Sequence, residues 1–183
     1  MFLPRFAVGT IVAAFLTAGT AFAQSKEEQQ REELRARAAE TLDELFIEVE
    51  GSKALYDNAV GYAVFAVTKA GFFVTGGGGS GVTVDKAAGD TVYMKMGLGG
   101  VGFAFGGQQY DMVILFQTAD RLETFIDGGW DGQAAAKAVA GSETAGAGSG
   151  FIDGAIVYTL GEKGLMASAD VSGTRFWVDE ELN

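Results

Sequence analysis

The sequence contains neither cysteine nor histidine in its 183 residues. Without cysteine, the chain forms no disulfide, offers no thiolate ligand to a metal and carries no lipoprotein anchor. Without histidine, it lacks the commonest general base in enzymes and the usual zinc ligand. We therefore predict a protein that is not an enzyme, that needs no metal or other cofactor, and that is held together by its core alone.

Basic residues are scarce as well. Lysine and arginine together number 13 against 24 aspartates and glutamates, which gives a formal net charge of −11. Because the phosphate backbone of nucleic acid repels such a chain, we expect no nucleic-acid partner. Nonspecific adhesion to an anionic lipid surface is disfavoured for the same reason.

The first 23 residues have the pattern of a secretory signal. Arg5 stands near the start, an apolar run covers residues 6–16, and Ala21 and Ala23 precede Gln24. The run is too short for a convincing membrane-spanning helix. We expect cleavage after Ala23 and export to the periplasm, either in solution or associated with a membrane. The mature chain of about 160 residues suits one domain.

Residues 24–50 predict an amphipathic helix, because apolar side chains recur three or four positions apart. The side chains of this apolar stripe are Leu34, Ala38, Leu42, Leu45, Phe46 and Val49. Residues 25–50 hold nine acidic and four basic side chains, whereas membrane-surface helices usually carry an excess of basic ones. We therefore expect the helix to pack on its own domain. Glu33 and Arg37 stand four apart in the favourable order and predict an ion pair on the helix surface.

Residues 51–183 predict a β-rich domain, because short apolar runs alternate with turn residues. The predicted strands are residues 61–68, 72–76, 80–85, 91–106, 110–117, 151–160, 165–171 and 174–178. Hairpin turns are predicted at residues 69–71, 86–90 and 161–164, and short helices at residues 52–56, 118–127 and 133–139. Consecutive hairpins indicate an α+β fold with a mainly antiparallel, glycine-rich sheet that is curved or barrel-like. The N-terminal helix precedes this sheet, and a short helical insertion interrupts it.

The strand predicted over residues 91–106 has glycine or alanine at every second position from Gly100 to Gly106. Such a strand has one face that is nearly bare of side chains. Glycine within a strand is unfavourable unless the missing side chain serves a purpose. We therefore expect another backbone, a sheet or a ligand to approach this face closely.

Two stretches match the glycine spacing of dinucleotide-binding loops, at residues 76–81 and 97–102. Each is followed by strand residues, so neither offers the helix N-terminus that cradles a phosphate. Asp127 and Asp131 lie near each other in the sequence, but their spacing matches no EF-hand loop. These motifs therefore predict neither a nucleotide site nor a calcium site.

Four motifs occur in the order and at the separations typical of one domain family. They are KAGF at residues 69–72, GGVGF at 99–103 with GQ at 107–108 and DMVI at 111–114, KGL at 163–165, and VSG at 171–173. The chain therefore resembles a bacterial member of the SYLF domain family, also called the Ysc84 or DUF500 family. The resemblance covers roughly residues 42–183. It predicts a SYLF-like lipid-binding domain over residues 51–183 that forms one globular unit with the helix at residues 24–50.

The resemblance implies a module that binds lipid, either a phospholipid or phosphoinositide-like headgroup or a membrane surface. Eukaryotic members bind phosphoinositides and some bind actin, whereas bacterial members are secreted or periplasmic. The candidate lipid-binding residues are Lys69, Gly71, Phe72, Phe73, Lys163 and Arg175. On this interpretation, Phe72 and Phe73 enter a lipid interface or line an acyl groove, and the three basic side chains meet the headgroup. The alternative place for the two phenylalanines is the core.

Two other interpretations stay open from the sequence. The first is a structural or assembly protein of the cell envelope that has an envelope protein as its partner and no ligand. The second is a small outer-membrane β-barrel, which the signal, the glycine-rich strands and the two tryptophans favour. Residues 110–117 argue against the barrel, because they are apolar on both faces and an aqueous lumen requires one polar face.

Overall fold

The computed structural model describes residues 13–71, 74–101, 107–128, 130, 151–161, 164–165 and 173–183. Three helices are described, namely α1 (Ala13–Glu48), α2 (Ser52–Asn58) and α3 (Ala119–Ile126). The strands are β1 (Gly61–Gly71), β2 (Val74–Asp85), β3 (Thr91–Val101), β4 (Gly107–Phe116), β5 (Ala155–Gly161), β6 (Gly164–Leu165) and β7 (Thr174–Val178). The predicted helix at residues 133–139 lies outside the described residues.

The strands form one seven-stranded sheet in the order β6-β5-β4-β1-β2-β3-β7. Every pairing between neighbouring strands is antiparallel. The strand β1 is central, because it pairs with β2 on one side and with β4 on the other along nearly its whole length. The predicted α+β fold with a mainly antiparallel sheet is therefore confirmed.

The two faces of the sheet are covered by different elements, because side chains alternate along each strand. One face packs against α1, and we call it the helix face. It contains Val64, Val82, Tyr93, Val113 and Tyr158. The other face carries a cluster of aromatic rings, and we call it the aromatic face. It contains Phe65, Phe116, Phe125, Trp130 and Phe176.

The helix α1 buries the apolar stripe that the sequence predicts. Ala38, Leu42, Leu45 and Val49 are buried against the helix face, and Leu34 and Phe46 are partly buried there. The prediction that this helix packs on its own domain is confirmed for the part of α1 whose side chains are described. The chain turns sharply at Gly51, whose φ of 84° favours glycine. Ser52 then donates from its hydroxyl to the Leu45 carbonyl oxygen at 3.0 Å, which fixes the start of α2 against α1.

The aromatic face is organised around Phe125 of α3, which is fully buried. Its ring centroid lies 4.8 Å from that of Phe176, 5.0 Å from Phe116 and 5.2 Å from Trp130. Burial of each such side chain contributes about 1.5–3 kcal/mol, and aromatic pairing adds to this. The helix α3 follows Thr118, and Gly128 at φ 75° comes directly after its C-cap, as the sequence predicts.

The hairpin turn predicted at residues 69–71 is wrong, because β1 continues through Gly71. Lys69 pairs with Gly77, and β2 runs as one strand through the glycines at 76–79 instead of ending there. A Cβ added at Gly77 would lie 2.3 Å from the Thr68 carbonyl oxygen, and one added at Gly79 would lie 2.3 Å from that of Ala66. Glycine at these positions of β2 permits a close approach to β1. The turn was predicted because a glycine-rich sequence is also typical of turns.

The strand predicted over residues 151–160 begins later than expected, at Ala155. Asp153 and Gly154 adopt φ values of 49° and 79°, which end any extended conformation before β5. Arg121 of α3 stabilises this turn, because its Nε donates to the Asp153 carbonyl oxygen at 2.8 Å. The turn predicted at residues 86–90 is confirmed, since Asp85 accepts hydrogen bonds from two backbone amides of the turn.

Candidate functional site

An edge here means the side of the sheet where the strand ends meet, not its outermost strand. One such edge lies nearest to the predicted lipid-binding residues. Because every pairing is antiparallel, β1, β3 and β5 end at this edge, and β2, β4, β6 and β7 begin there. We call it the open edge. The helix α2 leads into β1 and α3 follows β4 at the opposite edge, which we call the closed edge.

Lys69 and Gly71 lie at the open edge. Gly71 is the last residue of β1, and Lys69 pairs with Gly77 on β2 and with Gln108 on β4. The Lys69 side chain is partly buried and lies on the aromatic face, two positions along β1 from the buried Val67. The other predicted residues of this region, Phe72, Phe73 and Lys163, lie outside the described residues.

Arg175 is the second residue of β7 and therefore also lies at the open edge. It is exposed and pairs with Gly97 of β3. Its neighbour Phe176 belongs to the aromatic face, so Arg175 lies on the helix face. The structure thus brings Lys69 and Arg175 to the same edge but on opposite faces, with β2 and β3 between their strands.

The helix face near the open edge is nearly free of large side chains, and we call this area the glycine shelf. Its exposed residues are Thr68, Ala70, Gly76, Gly99, Gly107 and Gln109. A Cβ added at Gly76, Gly99 or Gly107 would meet no atom within 4 Å. Trp177 of β7 borders the shelf, where its ring lies 3.2 Å from the position of a Cβ on Gly97. Since Trp177 is 46% exposed, the shelf has an aromatic ring at its margin.

Between α1 and the glycine shelf runs a groove made of two cavities, which we call the helix groove. The larger cavity has a volume of about 460 Å³ and is lined by Gln30, Glu33, Leu34, Arg37, Ser80, Lys95, Asp179 and Leu182. The smaller cavity has a volume of about 230 Å³ and is lined by Arg37, Glu40, Thr41, Glu44, Gln109, Tyr110, Asp111, Leu160 and Gly161. Arg37 lines both cavities, so they are neighbours along one side of α1.

A polar cluster ties α1 to β4 in the smaller cavity. Nε and Nη2 of Arg37 donate to Oδ1 of Asp111 at 3.0 and 2.8 Å. Thr41 donates from Oγ1 to Oδ2 of Asp111 at 3.0 Å. The Asp111 side chain is 14% exposed, whereas that of Arg37 is 52% exposed. Both oxygens of the carboxylate therefore have a donor from α1, and the guanidinium keeps much of its surface toward the groove.

A second polar cluster lies in the larger cavity. Nζ of Lys95 lies 2.9 Å from Oδ1 of Asp179 and 3.6 Å from Oε2 of Glu181. The hydrogen bond to Asp179 is the main cause that raises the pKa of Lys95 above its ordinary value. Lys95 therefore stays protonated well above neutral pH, and its charge is offset by a carboxylate that is almost fully buried.

The middle of α1 is held by two arginines. Nη1 of Arg35 donates to the Tyr93 hydroxyl at 2.7 Å, and Nε of Arg31 donates to the Leu182 carbonyl oxygen at 2.8 Å. Both arginines also contact Glu28, and these hydrogen bonds lower the pKa of that carboxyl below its ordinary value. The contacts to Tyr93 and Leu182 fix the position of α1 over β3 and so define one wall of the helix groove.

The chemistry of the helix groove favours binding by hydrogen bonds. Arg37 and Lys95 each contact a carboxylate, so the two cations are offset locally.

Within the described ranges, no group of three or more acidic, histidine or cysteine side chains is arranged to hold a metal ion. In the part of the chain that the structure describes, no helix is long and apolar enough to cross a membrane.

Sequence reasoning missed the residues of the helix groove. It predicted that Arg37 pairs with Glu33, whereas Arg37 contacts Asp111, which is 74 positions away, and Glu33 accepts a hydrogen bond from Gln29. One signal was present, because Asp111 is the only charged residue of β4 and directly precedes the apolar residues 112–116. A charge on such a strand indicates a polar partner across the fold.

A comparison with known protein families finds a match for about half of the chain. The family model Ysc84, described as "Las17-binding protein actin regulator", matches residues 97–183. This region is a Ysc84-family, or SYLF, domain. The resemblance inferred from the sequence motifs is therefore confirmed. The match begins within β3 and includes Arg175, whereas Lys69 and Gly71 precede the matched residues.

The chain is also similar to "Beta cell expansion factor A" from Aeromonas veronii. It is 36% identical to this chain over 149 residues. The aligned region covers 81% of this chain and 57% of the relative. The chain thus spans little more than half the length of this relative.

Proposed function

We propose that this chain is an exported, non-catalytic module of SYLF type that binds lipid at the open edge. The supporting facts are the Ysc84-family domain, the signal-like first 23 residues and the absence of histidine and cysteine from the sequence. The lipid is a phospholipid, taken either as a single molecule or as a bilayer surface. An envelope protein is the alternative partner.

The observation that carries this proposal is the topology of the sheet. Lys69 and Arg175 are far apart in the sequence, yet both lie at the open edge. The strand β5 ends at the same edge at Gly161, shortly before Lys163. Lys69 and Arg175, the two described basic positions of the candidate site, therefore lie at one end of the molecule, away from α2 and α3.

The buried apolar layer of the aromatic face extends toward this edge. Val67 of β1 and Leu98 of β3 are buried members of that layer, and each lies within four residues of its strand end. Phe72 and Phe73 follow β1 directly in the sequence. In our proposal, these aromatic residues enter the lipid while basic side chains at the edge meet its phosphate. Because the whole chain is acidic, binding depends on these local cations.

The proposal is tested by flotation of the mature protein with liposomes of phosphatidylcholine alone and with added phosphatidylglycerol. We expect binding to weaken about fivefold in each of Lys69→Ala and Arg175→Ala, the effect of one basic side chain near a lipid surface. Lys53→Ala is the matched control, because Lys53 is an exposed lysine on α2 near the closed edge. Absence of binding to both compositions contradicts the membrane version of the proposal.

A single bound lipid is distinguished from a surface by native mass spectrometry. The mature protein is purified from the periplasm without detergent, and the same sample is extracted for lipids. A stoichiometric lipid mass supports a binding cavity for one molecule. An apo mass together with failed flotation contradicts lipid binding and favours an envelope protein partner, which crosslinking in cells would then identify.

A further inference from the structure

The helix groove and Trp177 form a second surface, separate from Lys69, that the lipid proposal does not use. Its floor is a row of side chains that lie side by side on neighbouring strands of the helix face. The register places them in the order Asp111, Ala66, Ser80, Lys95 and Trp177, on β4, β1, β2, β3 and β7. Since neighbouring strands lie about 4.8 Å apart, this row is about 19 Å long.

The next row toward the open edge is lower, because it consists mainly of small residues. It contains Gln109, Thr68, Gly78, Gly97 and Arg175 in the same strand order. The wall on the other side is α1, which contributes Gln30, Glu33 and Arg37. The groove is therefore long, shallow on one side and lined by polar groups over most of its length.

The charges of the groove argue against an anionic ligand. Arg37 contacts Asp111 and Lys95 contacts Asp179, so each cation of the floor and wall already has a carboxylate. The lining of the larger cavity also offers little to an acyl chain, because its only apolar side chains are Leu34 and Leu182. What remains is a row of hydrogen-bond donors and acceptors, and Glu33, Glu40 and Glu44 of α1 add further acceptors. Such a lining repels an anion and suits a neutral ligand with many hydroxyl groups.

Trp177 supplies the second feature that such a ligand needs. It lies directly opposite Lys95 across the β3–β7 pair, next to the larger cavity. Its ring rests against Gly97 and is 46% exposed, which leaves part of the ring accessible for a flat sugar ring to stack on. Tryptophan combines a broad apolar face with a polar edge, which fits the mixed surface of a sugar ring.

We propose that the helix groove binds a neutral oligosaccharide, with one sugar ring stacked on Trp177 and the following rings hydrogen-bonded along α1. Arg37, Ser80 and Gln109 face the hydroxyl groups, and charge-assisted bonds from Arg37 strengthen the contact. This inference does not depend on lipid binding, because none of the side chains assigned to the sugar is a lipid-binding candidate. Arg175 lies in the neighbouring row, and we assign it to the lipid site alone.

The experiment exploits the tryptophan content of the chain. The sequence holds only Trp130 and Trp177, and Trp130 is buried, so Trp130→Phe makes Trp177 the single reporter. This variant of the full mature protein is titrated with hexamers of N-acetylglucosamine and of glucose, and Trp177 fluorescence is followed. We expect a saturable change with at least one hexamer in the millimolar range or below.

Calorimetric titrations then assign the site, with each substitution made in the wild-type protein that keeps Trp130. We expect Trp177→Ala to weaken the same hexamer about tenfold or more, the loss of one aromatic contact, and Gln109→Ala to weaken it less. Ile152→Ala is the matched control, because Ile152 is an exposed apolar residue away from the groove, 38% exposed against 46% for Trp177. Lys69→Ala should leave hexamer binding unchanged.

Two results would overturn the inference. The first is the absence of any saturable signal with either hexamer. The second is hexamer binding that Trp177→Ala and Gln109→Ala leave at wild-type strength. Because both residues are exposed, the variants are expected to fold, and circular dichroism of each variant verifies this before the titration.

Discussion

The two halves of strands β1 and β2 differ in the size of the side chains that they carry. Near the closed edge, β1 and β2 contribute Val64, Phe65 and Val82, which are all buried. Near the open edge, the same two strands contribute Ala70 and Gly76, which are exposed. The difference separates two tasks, because large side chains stabilise the closed half and their absence leaves the open half accessible to a partner.

Glycine serves the two faces of β2 for different reasons, because Gly81 lies on the aromatic face and Gly76 on the helix face. At Gly81 a Cβ would lie 2.1 Å from the Val64 carbonyl oxygen and 2.6 Å from the Phe65 ring. At Gly76 a Cβ would meet nothing within 4 Å. Packing thus requires the first glycine, whereas the second leaves the surface bare.

The largest effect is expected from Phe125→Ala, because Phe125 is at the centre of the aromatic face. We expect the free energy of unfolding to fall by about 3–5 kcal/mol, the usual loss for a buried phenylalanine. Urea unfolding followed by circular dichroism measures it. Ile47→Ala is the control, since Ile47 is 82% exposed on α1 and should change stability by less than about 0.5 kcal/mol. Equal losses in the two variants would contradict the role assigned to the closed half.

A pair of glycine variants on β2 tests the comparison within one strand. Gly81→Ala should lower the free energy of unfolding by about 3 kcal/mol, because backbone and ring must move to admit the methyl group. Gly76→Ala should be neutral within about 0.5 kcal/mol, because its methyl group enters open space. Thermal unfolding of both variants checks this. A larger loss for Gly76→Ala than for Gly81→Ala would contradict the roles assigned to the two faces of β2.

The contact between Arg37 and Asp111 is expected to contribute less. Arg37→Ala should lower the free energy of unfolding by about 1 kcal/mol, because the arginine is half exposed and solvent weakens the ion pair. A double-mutant cycle with Asp111→Asn isolates the coupling between the two side chains. A coupling energy of zero would mean that this ion pair does not help to hold α1 over the sheet.

An effect of opposite sign is expected from Tyr158→Phe on the helix face. The Tyr158 hydroxyl is buried and has no hydrogen-bond partner in the described structure, so its removal should stabilise the fold by about 1 kcal/mol. Burial raises the pKa of Tyr158 to about 12. A raised pKa in the folded state means that wild-type stability is complete below the ordinary tyrosine pKa and declines as the pH rises toward 12.

The same variant therefore has a pH signature. Tyr158→Phe should remove this part of the alkaline decline, so its advantage over wild type should grow above the ordinary tyrosine pKa. Urea unfolding at neutral and at alkaline pH compares the two proteins. If Tyr158→Phe is less stable than wild type at neutral pH, the hydroxyl has a partner that the structure does not reveal.

Local patterns were sufficient to predict much of the fold. The apolar stripe of α1, the start and end of α3, and the bounds of β7 all depend on residues close together in the sequence. The turn at residues 69–71 was predicted wrongly because β1 continues through Gly71 and pairs there with β2. A strand pairing of this kind depends on contacts across the sheet, which turn chemistry does not encode.

The candidate sites were predicted less completely. Motif resemblance identified Lys69 and Arg175, and strand order explains why they share the open edge. The helix groove could not be predicted, because the alignment of Asp111, Ser80 and Trp177 depends on the register of five strands. A shift of one residue in any pairing would move a side chain to the other face, and the sequence does not specify that register locally.

The central claim is that the closed half provides stability while the open edge binds lipid, and hydrogen exchange with mass spectrometry tests it most directly. The mature protein is compared with and without liposomes that contain phosphatidylglycerol. We predict new protection in peptides that cover residues 65–76 and 174–178, and none in a peptide that covers residues 112–126, which should already exchange slowly. Protection confined to residues 112–126, or no change anywhere, would contradict the claim.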